Sequence, residues 1–226
     1  MSRFISKGSI RVLALALTVL LGAVACNAGN KEAVPAPAVN EAKAAASGKE
    51  TVVVAGGCFW GIQAVFQHVK GVKNATSGYS GGTVKNPDYE MVSSGQTGHA
   101  ESVMVTYDPS VVTYGELLRV FFSVALDPTE VNRQGPDDGT QYRSVIFYTN
   151  DEQKRIAETY IAQLNNAKVF SGPIATQVVP LTAFYKAEGY HQNYAEIHPN
   201  DTYIMFNDAP KVANLRREFP DLYTGK

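Results

Sequence analysis

Six residues constrain this chain more than any others. Gly56-Gly57-Cys58-Phe59-Trp60-Gly61 sits between the apolar run Thr51-Val52-Val53-Val54-Ala55 and a stripe formed by Ile62, Val65, Phe66 and Val69. The first run is β-branched and too short for a helix, whereas the later apolar positions recur at i, i+3, i+4 and i+7, so the stretch predicts a strand, a tight turn and a helix. Two consecutive glycines permit the sharp change of direction. Cys58 then falls at the helix start, where unpaired N–H groups and the helix dipole favour an anion. That placement predicts a thiol that loses its proton easily. A buried, inert cysteine at a strand-to-helix joint is the alternative this stretch leaves open.

Phe59 and Trp60 come before the helical stripe, so they are available to wall a small apolar pocket beside the sulfur, with the indole N–H adding one donor. The 226-residue chain is long enough for one sizeable core, and its formal net charge of −1 gives a nucleic-acid partner no electrostatic support.

Arg3, Lys7 and Arg11 precede the apolar run Val12 to Leu21, and the small residues Gly22-Ala23-Val24-Ala25 lead to Cys26. This is the layout of an export signal over residues 1–25. The run is shorter than the roughly twenty residues a membrane span needs. Small residues ending in a cysteine resemble the lipobox of bacterial lipoproteins, with Ala23 where that pattern has Leu, Val or Ile; ordinary cleavage after Ala23-Val24-Ala25 is the alternative. A lipidated Cys26 followed by Asn27 predicts a periplasmic protein anchored to the outer membrane. Residues 26–50 combine Ala, Pro, Lys, Glu and Asn without an aromatic side chain, a composition that predicts a disordered tether. The folded domain is expected over residues 51–226.

Cys26 and Cys58 are the only two cysteines, too few for a disulfide framework or a cysteine-based zinc site. His99, His191 and His198 stand in separate contexts without a close ligand pair, so no metal is expected. A Cys26–Cys58 disulfide is the alternative in an oxidising compartment; with Cys26 acylated, Cys58 is a free thiol outside the cytoplasm, which points to chemistry.

Along the domain, Asn74 to Tyr79 reads as a strand and residues 83–98 as a long loop carrying Asn86-Pro87-Asp88-Tyr89. Gly98-His99-Ala100-Glu101 opens the strand Ser102 to Tyr107. Thr113-x-x-Glu116 is a capping box for a helix with Leu117, Val120, Phe121 and Val124 on one face. A polar loop over residues 127–141 precedes the strand Ser144 to Tyr148, and Asn150-x-x-Gln153 caps a third helix. Ala175 to Pro180 is a further strand, and Glu188 to Tyr194 opens a short helix. The alternation predicts an α/β (α+β) domain with a single mixed sheet, helices packed on it, and the candidate polar groups on its loops.

Gly57-Cys58-Phe59-Trp60-Gly61, Gly98-His99-Ala100-Glu101 and Gly139-Thr140-Gln141-Tyr142-Arg143-Ser144, in that order, resemble A-type peptide methionine sulfoxide reductase, from about Thr51 to the C-terminus. The resemblance implies a two-layer sandwich, an elaborated ferredoxin-like βαβ core with a mixed sheet and long loops. It casts Cys58 as the nucleophile, Phe59 and Trp60 as the pocket for the substrate's methyl group, and Tyr89 and Tyr142 as hydroxyls that bind the sulfoxide oxygen. Glu101 is similar to the family's acid, and Asp137 to a carboxylate near the substrate backbone. Many members carry further cysteines near the C-terminus; the tail from Tyr203 to Lys226 has none, as in the single-cysteine branch. The resemblance thus implies no cofactor but an external thiol, a thioredoxin-like protein or dithiothreitol. Its substrates would be oxidised proteins or free methionine sulfoxide of the S epimer, and the protein a monomer.

The chemistry asks for the same residue types independently. A sulfoxide sulfur is electrophilic only as its oxygen takes a proton, so the reaction needs a thiolate on one side and an acid on the other. A carboxyl among Phe59, Trp60, Tyr89 and Tyr142 would be desolvated and so kept neutral. From the residues alone two other functions stay open. One is a cysteine peptidase or acyltransferase with His191 or His99 as base; the other is a non-catalytic aromatic cage for a sulfonium or quaternary ammonium group.

Overall fold

The run expected to be a strand is β1 (Glu50–Ala55) in the computed structural model, which describes Met1 and residues 34–225. The export signal and Cys26 lie outside the described residues. After β1 come α1 (Phe59–Gln67), β2 (Val72–Ser80), α2 (Tyr89–Ser93), β3 (Ala100–Tyr107) and α3 (Tyr114–Val120), which runs on as a π-helical turn over Phe121–Ala125. A short hairpin of β4 (Arg133–Gln134) and β5 (Asp137–Asp138) precedes β6 (Val145–Tyr148), α4 (Asp151–Asn166), β7 (Gln177–Pro180), β8 (Phe184–Lys186) and α5 (Tyr194–Ile197). A second π turn, Ile204–Asp208, leads into α6 (Ala209–Glu218).

Six strands form one mixed sheet in the order β7-β6-β1-β3-β2-β8, in which β6 and β7 pair parallel and the other neighbours antiparallel. The centre goes to β1 because it is apolar on both faces. Val52 and Val54 join Val103, Val105 and Ile146 in the main core with Ile62, Val65, Leu117, Leu118 and Ile156 of the helices. Val53 and Ala55, pointing the other way, pack with Ala100, Val145 and Phe147 in a smaller cluster that Leu181 and Phe184 flank. The result is a mixed α/β fold with its helices gathered over one face of the sheet.

Local signals set several element ends. Thr113 accepts from Glu116 N while Glu116 Oε2 accepts from Thr113 N at 2.8 Å, so the capping box of α3 is closed in both directions. Asn150 Oδ1 accepts from Gln153 N at 2.8 Å at the start of α4. The stretch 83–98 is not one structureless loop: it holds α2, whose cap Asp88 accepts from Met91 N at 2.9 Å. Five residues are too few for an apolar period to register.

The tether expected over residues 26–50 is corrected for its second half, because residues 34–49 are bound along the domain. Val34 is buried in the core, and Pro35 O accepts from Tyr160 OH at 2.6 Å. Gln163 clamps the next turn of chain, donating to Ala36 O at 2.9 Å and accepting from Ala38 N at 2.7 Å. Asn40 Oδ1 accepts from Gly115 N at 3.0 Å, and Glu41 Oε1 accepts from Tyr114 N at 2.7 Å. The strap thus satisfies first-turn N–H groups of α3 that the Thr113 cap leaves over. Composition hides this binding, since it runs through carbonyls and short polar side chains rather than through an apolar stripe.

Candidate active site

The turn after β1 closes only with glycine. Gly57 has a φ of +95°, and a Cβ there would lie 2.7 Å from Gln134 Cβ. Gly57 N donates to Tyr142 O at 3.1 Å, which draws the loop after β5 to the cysteine. Cys58 is the N-cap residue of α1, and the next amide, Phe59 N, donates to Glu101 Oε2 at 3.0 Å. One orphan N–H of the helix start is therefore satisfied by a carboxyl arriving from β3. Register brings it there: Ala55 pairs with Ser102, and Glu101 follows at the strand end beside the turn.

A cavity of about 200 Å³ is lined by Cys58, Phe59, Trp60, Tyr89, Glu101, Asp137, Tyr142 and Tyr203. Every residue of the domain to which the family resemblance assigns a role lines this one space. Tyr203 is the addition. It lies in the second π turn's approach, far from any motif, and donates its hydroxyl to Asp137 Oδ2. A wider cavity of about 340 Å³ opens beside the first and shares Asp137 and Tyr203 with it.

The aromatic wall is fixed from behind. Trp60 stacks on Tyr194 with centroids 3.8 Å apart and 10° between planes, and its Nε1 donates to His191 Nδ1 at 3.2 Å. With Nδ1 accepting, the ring proton sits on Nε2; burial disfavours a second proton. His191 packs edge-on to Phe59 at 4.9 Å and lies outside the cavity lining. His99 Nδ1 accepts from Gly82 N at 3.1 Å and its Nε2 meets Val84 O at 2.7 Å, also outside the lining. Neither histidine that a peptidase reading offered as base lines the cavity with the thiol. Tyr89 is held by Glu188, whose Oε1 accepts from Tyr89 N at 2.9 Å and whose Oε2 accepts from Tyr79 OH at 2.8 Å, tying α2 to β2. No group of three or more His, Cys, Asp or Glu side chains suited to a metal occurs among the described residues.

Burial sets the protonation of the groups in this space. Glu101 is 2% exposed, and burial pushes its carboxyl up to about 8, against the Phe59 N–H bond, with Asp137 and Asp208 adding to the rise. It is an uncharged acid at neutral pH. Burial also raises the hydroxyls of Tyr89 and Tyr142, with Glu101 next in effect, so both stay neutral donors. The easily ionised thiol expected at Cys58 is corrected. Burial first, then Glu101 and Asp208, lift it well above the usual thiol range, and the Trp60 amide and Lys211 oppose this only in part. The resting sulfur is a neutral thiol, set among one neutral acid and neutral hydroxyls.

Comparison with known proteins agrees with this geometry. The family described as Peptide methionine sulfoxide reductase matches residues 50–222. Among relatives, Peptide methionine sulfoxide reductase MsrA 2 of Mesorhizobium japonicum is 59% identical over 182 residues, which is 80% of this chain and 93% of the relative. The protein of the same name from Synechocystis is 49% identical over 83% of this chain and 87% of its own length. Among solved structures, methionine sulfoxide reductase A of Corynebacterium diphtheriae superposes with a TM-score of 0.59 at 38% identity, covering 67% of this chain and 76% of the other. Reduced Mxr1 of Saccharomyces cerevisiae does so with a TM-score of 0.60 at 33% identity, covering 67% and 87%. With family, fold and a thiol-centred cavity in agreement, the chain belongs to the peptide methionine sulfoxide reductase family, as an A-type oxidoreductase that reduces methionine sulfoxide with the help of a thiol.

Proposed function

We propose that Cys58 takes the oxygen of a methionine S-sulfoxide while Glu101 protonates it. The observation that carries this reading is the convergence of one thiol, one buried neutral carboxyl and two neutral tyrosine hydroxyls on a single 200 Å³ cavity. The substrate's methyl group rests against Phe59 and Trp60, and its oxygen accepts from the hydroxyls of Tyr89 and Tyr142. As Sγ attacks the substrate sulfur, Glu101 gives its proton to the oxygen, and the thiol's own proton returns Glu101 to its neutral form. The S–S bond so formed then breaks, its electron pair staying on the methionine sulfur, as the hydroxyl passes across: the substrate S–O bond is lost and an S–O bond forms on Cys58. The products are methionine, reduced by two electrons, and a Cys58 sulfenic acid, oxidised by two. Asp137, fixed by Tyr203, meets the substrate's amide N–H or free ammonium.

Regeneration needs a partner thiol. A thioredoxin-like protein or dithiothreitol attacks the sulfenic sulfur, water leaves, and a second thiol resolves the mixed disulfide. A pocket with a fixed methyl site and a fixed oxygen site cannot accept both hands at sulfur equally. With excess thiol, racemic methionine sulfoxide should therefore stall near half conversion; complete consumption would refute the S-epimer assignment.

The reading extends to location. The basic, apolar and small-residue order of residues 1–25, ending at Cys26 and Asn27, supports export to the periplasm, lipidation of Cys26 and repair of oxidised exported proteins. Fractionation tests it: the native chain should follow outer membrane and carry acyl mass, and Cys26→Ala should be released or misprocessed. Unmodified native protein in the soluble fraction would count against the anchor.

A further inference from the structure

Asp208 and Lys211 have no part in the oxygen transfer just described, yet they lie against Gly61, in the first turn of the helix that Cys58 caps. Asp208 is fully buried, its Oδ1 accepts from Lys211 Nζ at 3.2 Å, and its Oδ2 has no hydrogen-bond partner among the described residues. A buried carboxylate with one bond and one orphan oxygen is an expensive arrangement, which a neutral side chain of the same shape would avoid. Its location gives it a use. A Cβ on Gly61 would overlap Asp208 Oδ1 and would lie 2.9 Å from Lys211 Nζ, so the pair is pressed onto the first turn of α1, directly after Cys58 and Phe59. Lys211 is 22% exposed and reaches the wider cavity beside Asp137, which lets its ammonium keep part of its hydration.

We propose that Asp208 and Lys211 form a positioning pair that sets the ionisation of Cys58, the carboxylate opposing the thiolate and the ammonium favouring it. It rests on Cys58 as the reacting thiol. Glu101 from β3 and Asp137 from β5 line the sulfur's cavity with Tyr89, Tyr142 and Tyr203, while Asp208 of the second π turn and Lys211 of α6 stand against the first turn of α1 and Tyr194 stands behind Trp60. Of these, Lys211 is the one cation, and Asp208 is its fully buried counter-charge. Asp208 helps hold the sulfur protonated while the site is empty, and Lys211 limits that effect. Oxidants and alkylators consume thiolates, so a neutral resting thiol is spared until a sulfoxide and its proton donor are in place.

The test reads ionisation without catalysis, so its failure is distinct from a failure of the nucleophile assignment. Alkylation of Cys58 by iodoacetamide, followed by mass on the Cys58 peptide of the full chain, is measured as a function of pH. Asp208→Asn removes the opposing charge and keeps the shape; it should alkylate about tenfold faster at pH ~8, as a shift of about one pH unit requires. Lys211→Met should be slower by a similar factor, and the double variant should return toward the native rate. A structural role alone would move both single variants the same way. Unchanged rates, or changes of the same sign, would overturn the proposal. Should Asp208→Asn not fold, Lys211→Met decides alone: slower alkylation supports the pair, and unchanged or faster alkylation refutes it.

Discussion

At Cys58 two effects of opposite sign meet, and their sizes decide the outcome. A helix N-terminus favours an adjacent anion by about 0.3–1 kcal/mol, under one pH unit, whereas full burial can move a titration by about 3–5 units. Burial wins, and the same burial keeps Glu101 protonated up to about 8. The acid form of Glu101 is the active one. It dominates below that value and is lost above it, so the rate of the first turnover should hold through neutral pH and fall as pH rises past about 8. Glu101→Gln should lose about 10²- to 10⁴-fold at pH ~7, the usual contribution of a general acid. Rapid-quench measurement of methionine formation against pH checks both. A rate that climbs through pH ~9 would mean that thiolate formation limits the reaction and that Glu101 is not its proton source.

Elements were legible where their periodicity had room to show. The strand-turn-helix around Cys58 could be read from a β-branched run, two glycines and an apolar stripe, and α3 and α4 from their caps. Others were not, among them β8 and the β4–β5 hairpin inside the stretch read as a polar loop. The helix α2 is one turn long, α6 has a weak apolar face, and the strap over residues 34–49 binds by backbone groups that no side-chain pattern reports. The strap has its own prediction. Removing residues 34–49 exposes a Val34-sized core site and strips several hydrogen bonds from α3 and α4, a loss of about 3 kcal/mol. Tm should drop by roughly 6–12 °C for a chain of this size, measured by thermal denaturation of otherwise matched proteins. None of these residues lines the catalytic cavity, so the first-turnover rate should stay within about twofold. An unchanged Tm would show that the strap is not a structural part of the domain.

The molecule as a whole works by bringing distant positions to one end of its sheet. Antiparallel pairing of β1 with β3 sets Glu101 beside the Cys58 turn, and a one-residue slip would turn that carboxyl to the opposite face. Motif residues such as Cys58, Glu101 and Tyr142 were legible because the family pattern marks them. Tyr203 and Asp208 were not, because only the second π turn and α6 fold them back against α1, and that contact has no trace in local spacing. Of the two cysteines in the chain, Cys58 is the one among the described residues, and it is the only sulfur in the cavity lining. The most direct measurement follows from that count. The full chain is incubated with excess methionine sulfoxide in the absence of any thiol, methionine is quantified, and a sulfenic-acid trap is located by mass. The expected result is one methionine per protein molecule, the trap on Cys58, and neither in Cys58→Ser; methionine formed by Cys58→Ser, or continued turnover without thiol, would contradict the account.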